Sequence, residues 1–159
     1  MIDFSIQQLI NNKLLSKKKE KTINSWYASG LGGCPTGRYL ERLGVKPDSE
    51  FDERTLRIFS VGTLMEEWII NLLKATEAKI ETQVRIENET YNLSGYADLV
   101  IEKDGKKLVY EIKSKHSKAF WYMEKKGEGA SEHNKMQLWA YLWQLGIDEG
   151  RLIYLSKDD

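Results

Sequence analysis

The sequence lacks several features that define familiar protein classes. Its single cysteine, Cys34, provides neither an intrachain disulfide framework nor a zinc site built on several thiolates. Only two prolines occur among 159 residues, which favours long regular elements. No apolar run approaches the roughly 20 residues of a membrane-spanning helix, and the first residues do not resemble a signal peptide. We therefore expect one intracellular globular domain over residues 1–159, with no membrane partner.

Charge of one sign is also lacking, because 24 Lys and Arg balance 24 Asp and Glu. That balance argues against a nucleic-acid partner, but the charges are segregated along the chain. Residues 13–21 hold five lysines and one glutamate, whereas residues 41–67 hold seven acids and four bases. Residues 103–126 hold eight lysines and three acids. A charge run is usually a solvated face, which is our interpretation of 13–21. The third run differs because it surrounds carboxylates.

Hydrophobic spacing predicts an α/β domain with a small mixed sheet. Helices are expected near 4–19, 36–43, within 52–76, and over 131–145. Strands are expected at 79–86, 93–102, 107–114 and 151–155.

The Asp-Gly pair at 104–105 is a strong signal for a β-hairpin. A two-residue turn there sets Asp98 opposite Glu111, with their Cβ atoms about 5 Å apart. Lys113 lies on the same face, because residues two apart on a strand point the same way. Opposed carboxylates need a cation, a shared proton or solvent between them, and a divalent metal is the simplest answer.

The alternative is a solvated sheet face on which both acids pair with lysines. Apolar residues on the other face of the hairpin argue against it: Ala97, Leu99, Ile101, Leu108, Tyr110 and Ile112. Val100 and Val109 partly cover the carboxylate face as well. The hairpin is therefore expected to be an inner strand pair, where unpaired acids are costly.

Two predicted helices carry further candidates. Glu66 has mostly apolar neighbours at helical spacing, so it needs a partner, unless it is a helix-edge residue that reaches solvent. The helix at 131–145 has one polar line between apolar stripes, and that line is either functional or its solvent edge. The line consists of His133, Gln137, Tyr141 and Gln144. His116 and His133 are interpreted as surface histidines, and Cys34 as a small buried thiol.

Four short motifs stand in order along the chain: Gly62-x-x-x-Glu66, Gly95-Tyr96-Ala97-Asp98, Glu111-Ile112-Lys113 and Gln137-x-x-x-Tyr141. Together they resemble the PD-(D/E)XK nuclease superfamily, in particular its RecB-like branch, which includes CRISPR-associated adaptation nucleases and phage exonucleases. The E-x-K triplet alone is common, whereas four motifs in order are specific. The resemblance implies a restriction-endonuclease-like core of order αβββαβ over residues 51–159, behind a helical extension over 1–50.

The resemblance further implies a Mg²⁺- or Mn²⁺-dependent DNA nuclease, with an exonuclease acting on ends or single strands as the favoured form. Asp98, Glu111 and the Ile112 carbonyl would hold the metal, with Glu66 as a further ligand. Lys113 would orient the attacking water and stabilise charge on the phosphate.

Other residues are expected to contact or position the DNA. Gln137 and Tyr141 would position the phosphate backbone or the catalytic lysine. Arg38, Lys115 and Lys118 are candidates for phosphate contacts. Two aromatics, Tyr39 and Trp121, are able to stack unpaired bases, although core packing is favoured for both.

Two departures from the family pattern bear on the subfamily. Many RecB-like members carry His where Glu66 stands, whereas lambda-exonuclease-like enzymes carry Glu. The segment around Cys34 resembles the one that supplies the first iron–sulfur cysteine in some relatives. Because the 159 residues hold no second cysteine, no iron–sulfur cluster is expected.

The main alternative is a non-catalytic nucleic-acid-binding or assembly module that retains the fold. A sequence-specific restriction endonuclease ranks lower, because the chain leaves little room for a recognition insert. The expected partner is DNA, and a homo-oligomer or a recombination or repair partner protein stays open. The expected location is the cytoplasm of a bacterial or phage-infected cell.

Overall fold

The computed structural model describes residues 5–16, 24–127 and 129–157. Its helices are α1 (Ile6–Ser16), α2 (Pro35–Arg42), α3 (Glu53–Lys74), α4 (Ser117–Lys125) and α5 (Glu132–Leu145). Its strands are β1 (Trp26–Tyr27), β2 (Lys79–Asn88), β3 (Leu93–Lys103), β4 (Lys106–Lys115) and β5 (Glu149–Ser156), and a 3₁₀ turn spans Ala28–Gly30.

The strands form one mixed sheet. β3 is antiparallel to both β2 and β4, and its first residues also pair in parallel with the short β1. β4 pairs in parallel with β5 on its other side. The predicted α/β class is confirmed, and β3 and β4 are the inner strand pair that the sequence indicated.

The hairpin between β3 and β4 has the predicted register. Asp104 and Gly105 have φ of 53° and 75°, as the favoured two-residue hairpin turn requires. Pairing then runs from Lys103–Lys106 to Leu99–Tyr110, where the β3–β4 ladder ends.

The helix boundaries follow from local capping. Asp52 caps α3 by accepting a hydrogen bond from the Thr55 backbone N at 2.8 Å. Ser131 caps α5, which ends at Gly146 in the left-handed conformation, with φ of 63°. The first predicted helix is observed as α1, while residue 4 and residues 17–19 lie outside the described residues, as does most of the lysine run.

Two elements were missed in the sequence. The strand β1 is only two residues long, too short to leave a hydrophobic period. Helix α4 follows β4 directly, and its cap is the His116 side chain, which accepts a hydrogen bond from the Lys118 backbone N at 3.2 Å. Histidine is not among the residues preferred at the N-terminal cap of a helix, so nothing in this lysine-rich segment predicted a helix.

The core lies between α5 and the sheet, and close backbone approach is what lets the helix pack there. Its buried members are Ala28, Ile86, Leu93, Ala97, Val100, Val109, Leu138, Ala140 and Tyr141. A Cβ at Gly95 would lie 3.0 Å from Ala28 Cβ and 3.1 Å from Tyr141 Cε1. We expect any larger residue at position 95 to push α5 off the sheet.

Two expectations about burial are wrong. Cys34 is exposed, because it precedes the surface helix α2 and lies outside the core. Tyr39 and Trp121 are exposed as well, so neither packs in the core. None of the helices that the structure describes has the length and apolar character needed to cross a bilayer.

Candidate active site

The site is built where β3 and β4 separate. The Asp98 Oδ2 atom accepts a hydrogen bond from the Ile112 backbone N at 2.8 Å. Asp98 is one residue and Ile112 two residues beyond the last β3–β4 pair, Leu99–Tyr110. A carboxylate thereby takes the place of a strand partner, while β4 continues beside β5 as far as Lys115. As a result, Asp98 lies within hydrogen-bonding reach of Glu111, as the hairpin register predicted.

A second irregularity lies on the other side of Asp98. The β2–β3 ladder includes Thr82–Leu99 and Val84–Ala97 but omits Gln83, which has φ of 51°. Its side-chain Nε2 donates to Glu66 Oε1 at 2.8 Å and so ties α3 to the sheet. Glu66 is half-buried and has a partner, so the helix-edge alternative is not supported.

Glu111 is the most deeply buried acid of the site, at 1% exposed. Its Oε1 accepts from Lys113 Nζ at 2.6 Å and from Gln137 Nε2 at 2.6 Å. Its Oε2 is also buried but has no hydrogen-bond donor. An orphaned carboxylate oxygen beside a second carboxylate is a position that a cation would satisfy.

The polar line of α5 faces this cluster. Gln137 Oε1 accepts from Lys113 Nζ at 3.0 Å, and its Nε2 also donates to the Tyr141 hydroxyl at 2.9 Å. Both α5 residues are buried, so the solvent-edge interpretation is wrong for them. The apolar stripes beside the polar line include Trp139 and Trp143, which the sequence predicts to be buried. Both point outward instead, and Trp139 is 71% exposed.

The electrostatics of the site favour a bound cation. Burial, together with the Asp98 carboxylate, raises the pKa of Glu111 to about 7. Burial also raises the pKa of Asp98, against the opposing effects of the Ile112 N–H and Lys113, and it raises the pKa of Glu66, with Asp98 adding to the shift. Three acids thus share one lysine, which leaves an excess of negative charge.

The donor set suits a hard divalent cation. Mg²⁺ commonly uses one or two protein carboxylates and keeps several waters, and Asp98 with Glu111 provides that pair. Within the described ranges, no three His, Cys, Asp or Glu side chains group closely enough to hold a metal ion. Glu66 therefore stands apart from the pair and interacts with Asp98 through their charges.

The predicted DNA contacts lie outside this cluster. Arg38 forms an exposed ion pair with Glu41 at 2.8 Å. Lys115 Nζ lies 4.9 Å from the ring centroid of Tyr154, and Lys118 is exposed at the start of α4. The structure therefore brings five of the predicted catalytic residues together with Ile112 and places Glu66 within electrostatic reach of Asp98. The three predicted phosphate contacts are not part of this cluster.

Sequence reasoning missed three neighbours of the site. Gln83 holds Glu66, and Tyr154 stands beside Lys113 in the β4–β5 ladder. The hydroxyl of Tyr154 accepts from Asn134 Nδ2 at 2.7 Å. The sequence held no signal for them, because the registers of β2 and β5 are not fixed by tight turns.

The four motifs thus meet at one place in the fold. No protein-family model matches the sequence. The CRISPR-associated exonuclease Cas4 of Saccharolobus solfataricus is 28% identical over 167 aligned positions, covering 98% of this chain and 74% of that protein. The crystal structure of SSO0001 superposes with a TM-score of 0.61 at 27% identity, covering 96% of this chain and 71% of the other. Over nearly its whole length the chain is therefore similar to a nuclease of the kind that the four motifs indicated.

A second solved structure shares the fold. It is LHK-Exo in complex with dAMP, with a TM-score of 0.58 at 14% identity over 85% of this chain and 71% of that one. The resemblance to RecB-like nucleases that the motifs indicated is confirmed by the Cas4 similarity, and the fold by both solved structures.

Proposed function

We propose that this protein is a metal-dependent DNA nuclease that hydrolyses phosphodiester bonds as an exonuclease. The observation that carries the proposal is the buried constellation of Asp98, Glu111 and Lys113 at the point where two strands separate. Similarity to the Cas4 exonuclease over nearly the whole chain supports the same reaction class. We further propose that residues 1–159 are one domain, with its catalytic residues in 51–159.

The proposed metal ligands are Asp98, Glu111 and the Ile112 carbonyl, with Glu66 reaching the ion directly or through water. A bound Mg²⁺ or Mn²⁺ supplies a water of lowered pKa and polarises the scissile phosphate. The proposal covers both ions, because carboxylate oxygens bind either of them.

Lys113, the lysine of the E-x-K triplet, is positioned to act on the attacking water. Lys113 Nζ lies between Glu111 Oε1 and Gln137 Oε1 and is partly exposed, so its ammonium is aimed by two acceptors while it still faces solvent. Held there, it orients the attacking water and neutralises charge that develops on the phosphate oxygens. Gln137 in turn is fixed by its contact with the Tyr141 hydroxyl.

The test compares Lys113→Ala with wild type on end-labelled linear duplex, single-stranded DNA and closed circular DNA in Mn²⁺. We expect the wild type to degrade the linear forms and spare the circle, and Lys113→Ala to lose this activity. Lys79→Ala is the matched control, because Lys79 is an exposed lysine whose ion pair with Glu102 includes none of the site residues. Full activity of Lys113→Ala with an unchanged melting curve would refute the assignment.

The non-catalytic module is tested by calorimetric titration of Mn²⁺. Heat that disappears in Asp98→Asn supports the nuclease, whereas no heat in the wild type supports the module. Lys115, Lys118 and Arg38 remain our proposed phosphate contacts, although Arg38 would first have to leave Glu41.

A further inference from the structure

Helix α4 presents an aromatic and basic surface right after the catalytic strand. Trp121 is 52% exposed, and its ring meets Tyr122 edge-on, with centroids 5.1 Å apart and an interplanar angle of 81°. Lys126 Nζ lies 4.9 Å from the centroid of the Tyr122 ring. Phe120 and Met123 are half-buried, so they fasten the helix while the other aromatics remain at the surface.

The charges of this surface match a nucleic-acid backbone. Lys118 and Lys125 stand three and four positions either side of Trp121, hence on one helix face, and both are exposed. Glu124 is the one acid among residues 117–126, against three lysines. Exposed aromatics flanked by lysines are the means by which proteins hold unpaired bases without reading their sequence.

The exposed tryptophans of α5 provide an internal comparison. Trp139 is more exposed than Trp121, yet its helix begins with Glu132, which pairs with Lys135 at 2.6 Å. Asp148 lines the groove beside Trp139. The α5 surface therefore lacks the positive charge that a polyanion requires, and the two surfaces differ in charge rather than in aromatic content.

The helix is also close enough to the site to contact the same strand. Four extended residues lead from Lys113 to Ser117, and one helical turn leads on to Trp121, so the two Cα atoms are at most about 20 Å apart. A strand in a DNA duplex advances about 3.4 Å per nucleotide, so even with this spacing the distance corresponds to about six nucleotides or fewer.

We propose that the outer face of α4 binds unpaired nucleotides next to the scissile phosphate, with Trp121 stacking on a base and Lys118 and Lys125 contacting phosphates. This inference rests on the proposed nuclease function, since it assumes that DNA occupies the site. It assigns single-stranded DNA, or the frayed end of a duplex, as the form of substrate that the enzyme holds.

The first experiment measures the affinity of a fluorescein-labelled 12-mer of deoxythymidine by polarisation in EDTA, where no cleavage occurs. We expect Trp121→Ala to weaken binding by about fivefold to a hundredfold, the effect of losing one stacked base. Trp121→Phe should restore most of the affinity, because it keeps an aromatic face. Trp139→Ala is the matched control and should bind like wild type.

The second experiment measures the salt dependence of the same binding. Replacing Lys118 and Lys125 singly with Gln should reduce the slope of log affinity against log salt by about 0.7 each. Melting curves of each variant exclude loss of folding as the cause.

The outcomes separate this inference from the proposed function. If Trp121→Ala and Trp121→Phe both bind the 12-mer like wild type, the stacking surface is refuted even though Mn²⁺-dependent cleavage persists. An equal loss in Trp139→Ala would also refute it. If wild type binds through Trp121 but never cleaves in Mn²⁺, the surface stands and the nuclease proposal fails.

Discussion

The Asp98 carboxylate accepts the backbone N–H of Ile112 at 2.8 Å, and this one contact both ends the β3–β4 ladder and opens the site. Without it, the N–H of an inner strand would lose its partner. The same carboxylate faces Glu111, so one side chain has a structural and an electrostatic role. The two roles can be separated by substitution.

Asp98→Asn should keep an oxygen for the Ile112 N–H while removing the negative charge. We expect it to fold with stability equal to or above that of wild type, because buried like charges no longer repel, and to lose Mn²⁺ binding. Asp98→Ala leaves the N–H unpaired and should cost about 1–3 kcal/mol. Urea unfolding checks the order of stability, and equal stabilities for both variants would contradict this account.

The stability of the metal-free protein should fall with rising pH because of Glu111. Its pKa is about 7 in the folded state against an ordinary value of 4.5, so the folded state binds the extra proton between these values. Stability from this group is therefore full below about pH 4.5 and lost as the pH rises through 7. Between pH 5.5 and 8 the loss should be about 2 kcal/mol.

Glu111→Gln cannot titrate and should lack this pH-dependent loss. The measurement is the difference in unfolding free energy between wild type and Glu111→Gln, by urea denaturation in EDTA at both pH values. A difference that stays constant across the range would show that Glu111 does not retain its proton.

Gln137 should affect activity indirectly, by positioning Lys113 and Glu111. Gln137→Ala removes one acceptor from Lys113 and one donor from Glu111, so we expect activity to fall about 10–100-fold. The decrease should appear in kcat rather than in KM, because the lysine is misplaced while DNA binding persists. Tyr141→Phe removes only the hydrogen bond between Gln137 Nε2 and the Tyr141 hydroxyl, so it should lower activity less. A larger decrease in Tyr141→Phe than in Gln137→Ala would contradict this ranking.

Gln83 offers a test of the strained backbone beside Asp98. Its φ of 51° is costly for a side-chain-bearing residue and free for glycine, but Gln83→Gly also removes the hydrogen bond to Glu66. Because these two effects oppose each other, we expect Gln83→Gly to lie within about 1 kcal/mol of wild type. Gln83→Val loses the same hydrogen bond and should be less stable than Gln83→Gly, since a β-branched residue avoids this conformation. Thermal melting of both variants is the check, and the reverse order would show that the left-handed backbone is not required there.

Local sequence was enough for the hairpin and its carboxylates. The Asp-Gly turn fixes the β3–β4 register, and that register places Asp98 by Glu111 and Lys113 by Glu111 without further information. The N-terminal ends of two helices, at Asp52 and Ser131, could likewise be predicted, because a cap depends on residues three positions apart.

Tertiary packing decided the rest. The sequence of α5 offered a polar line and a pair of tryptophans, and only docking against Gly95 determined that Gln137 faces inward and Trp139 outward. The partner of Glu66 likewise depends on β2, which joins β3 at a break in the ladder that no local rule encodes. The sequence by itself determined which acids and which lysine meet, because one tight turn sets them. Only the tertiary structure decided what holds them in place, because those contacts join elements far apart in the chain.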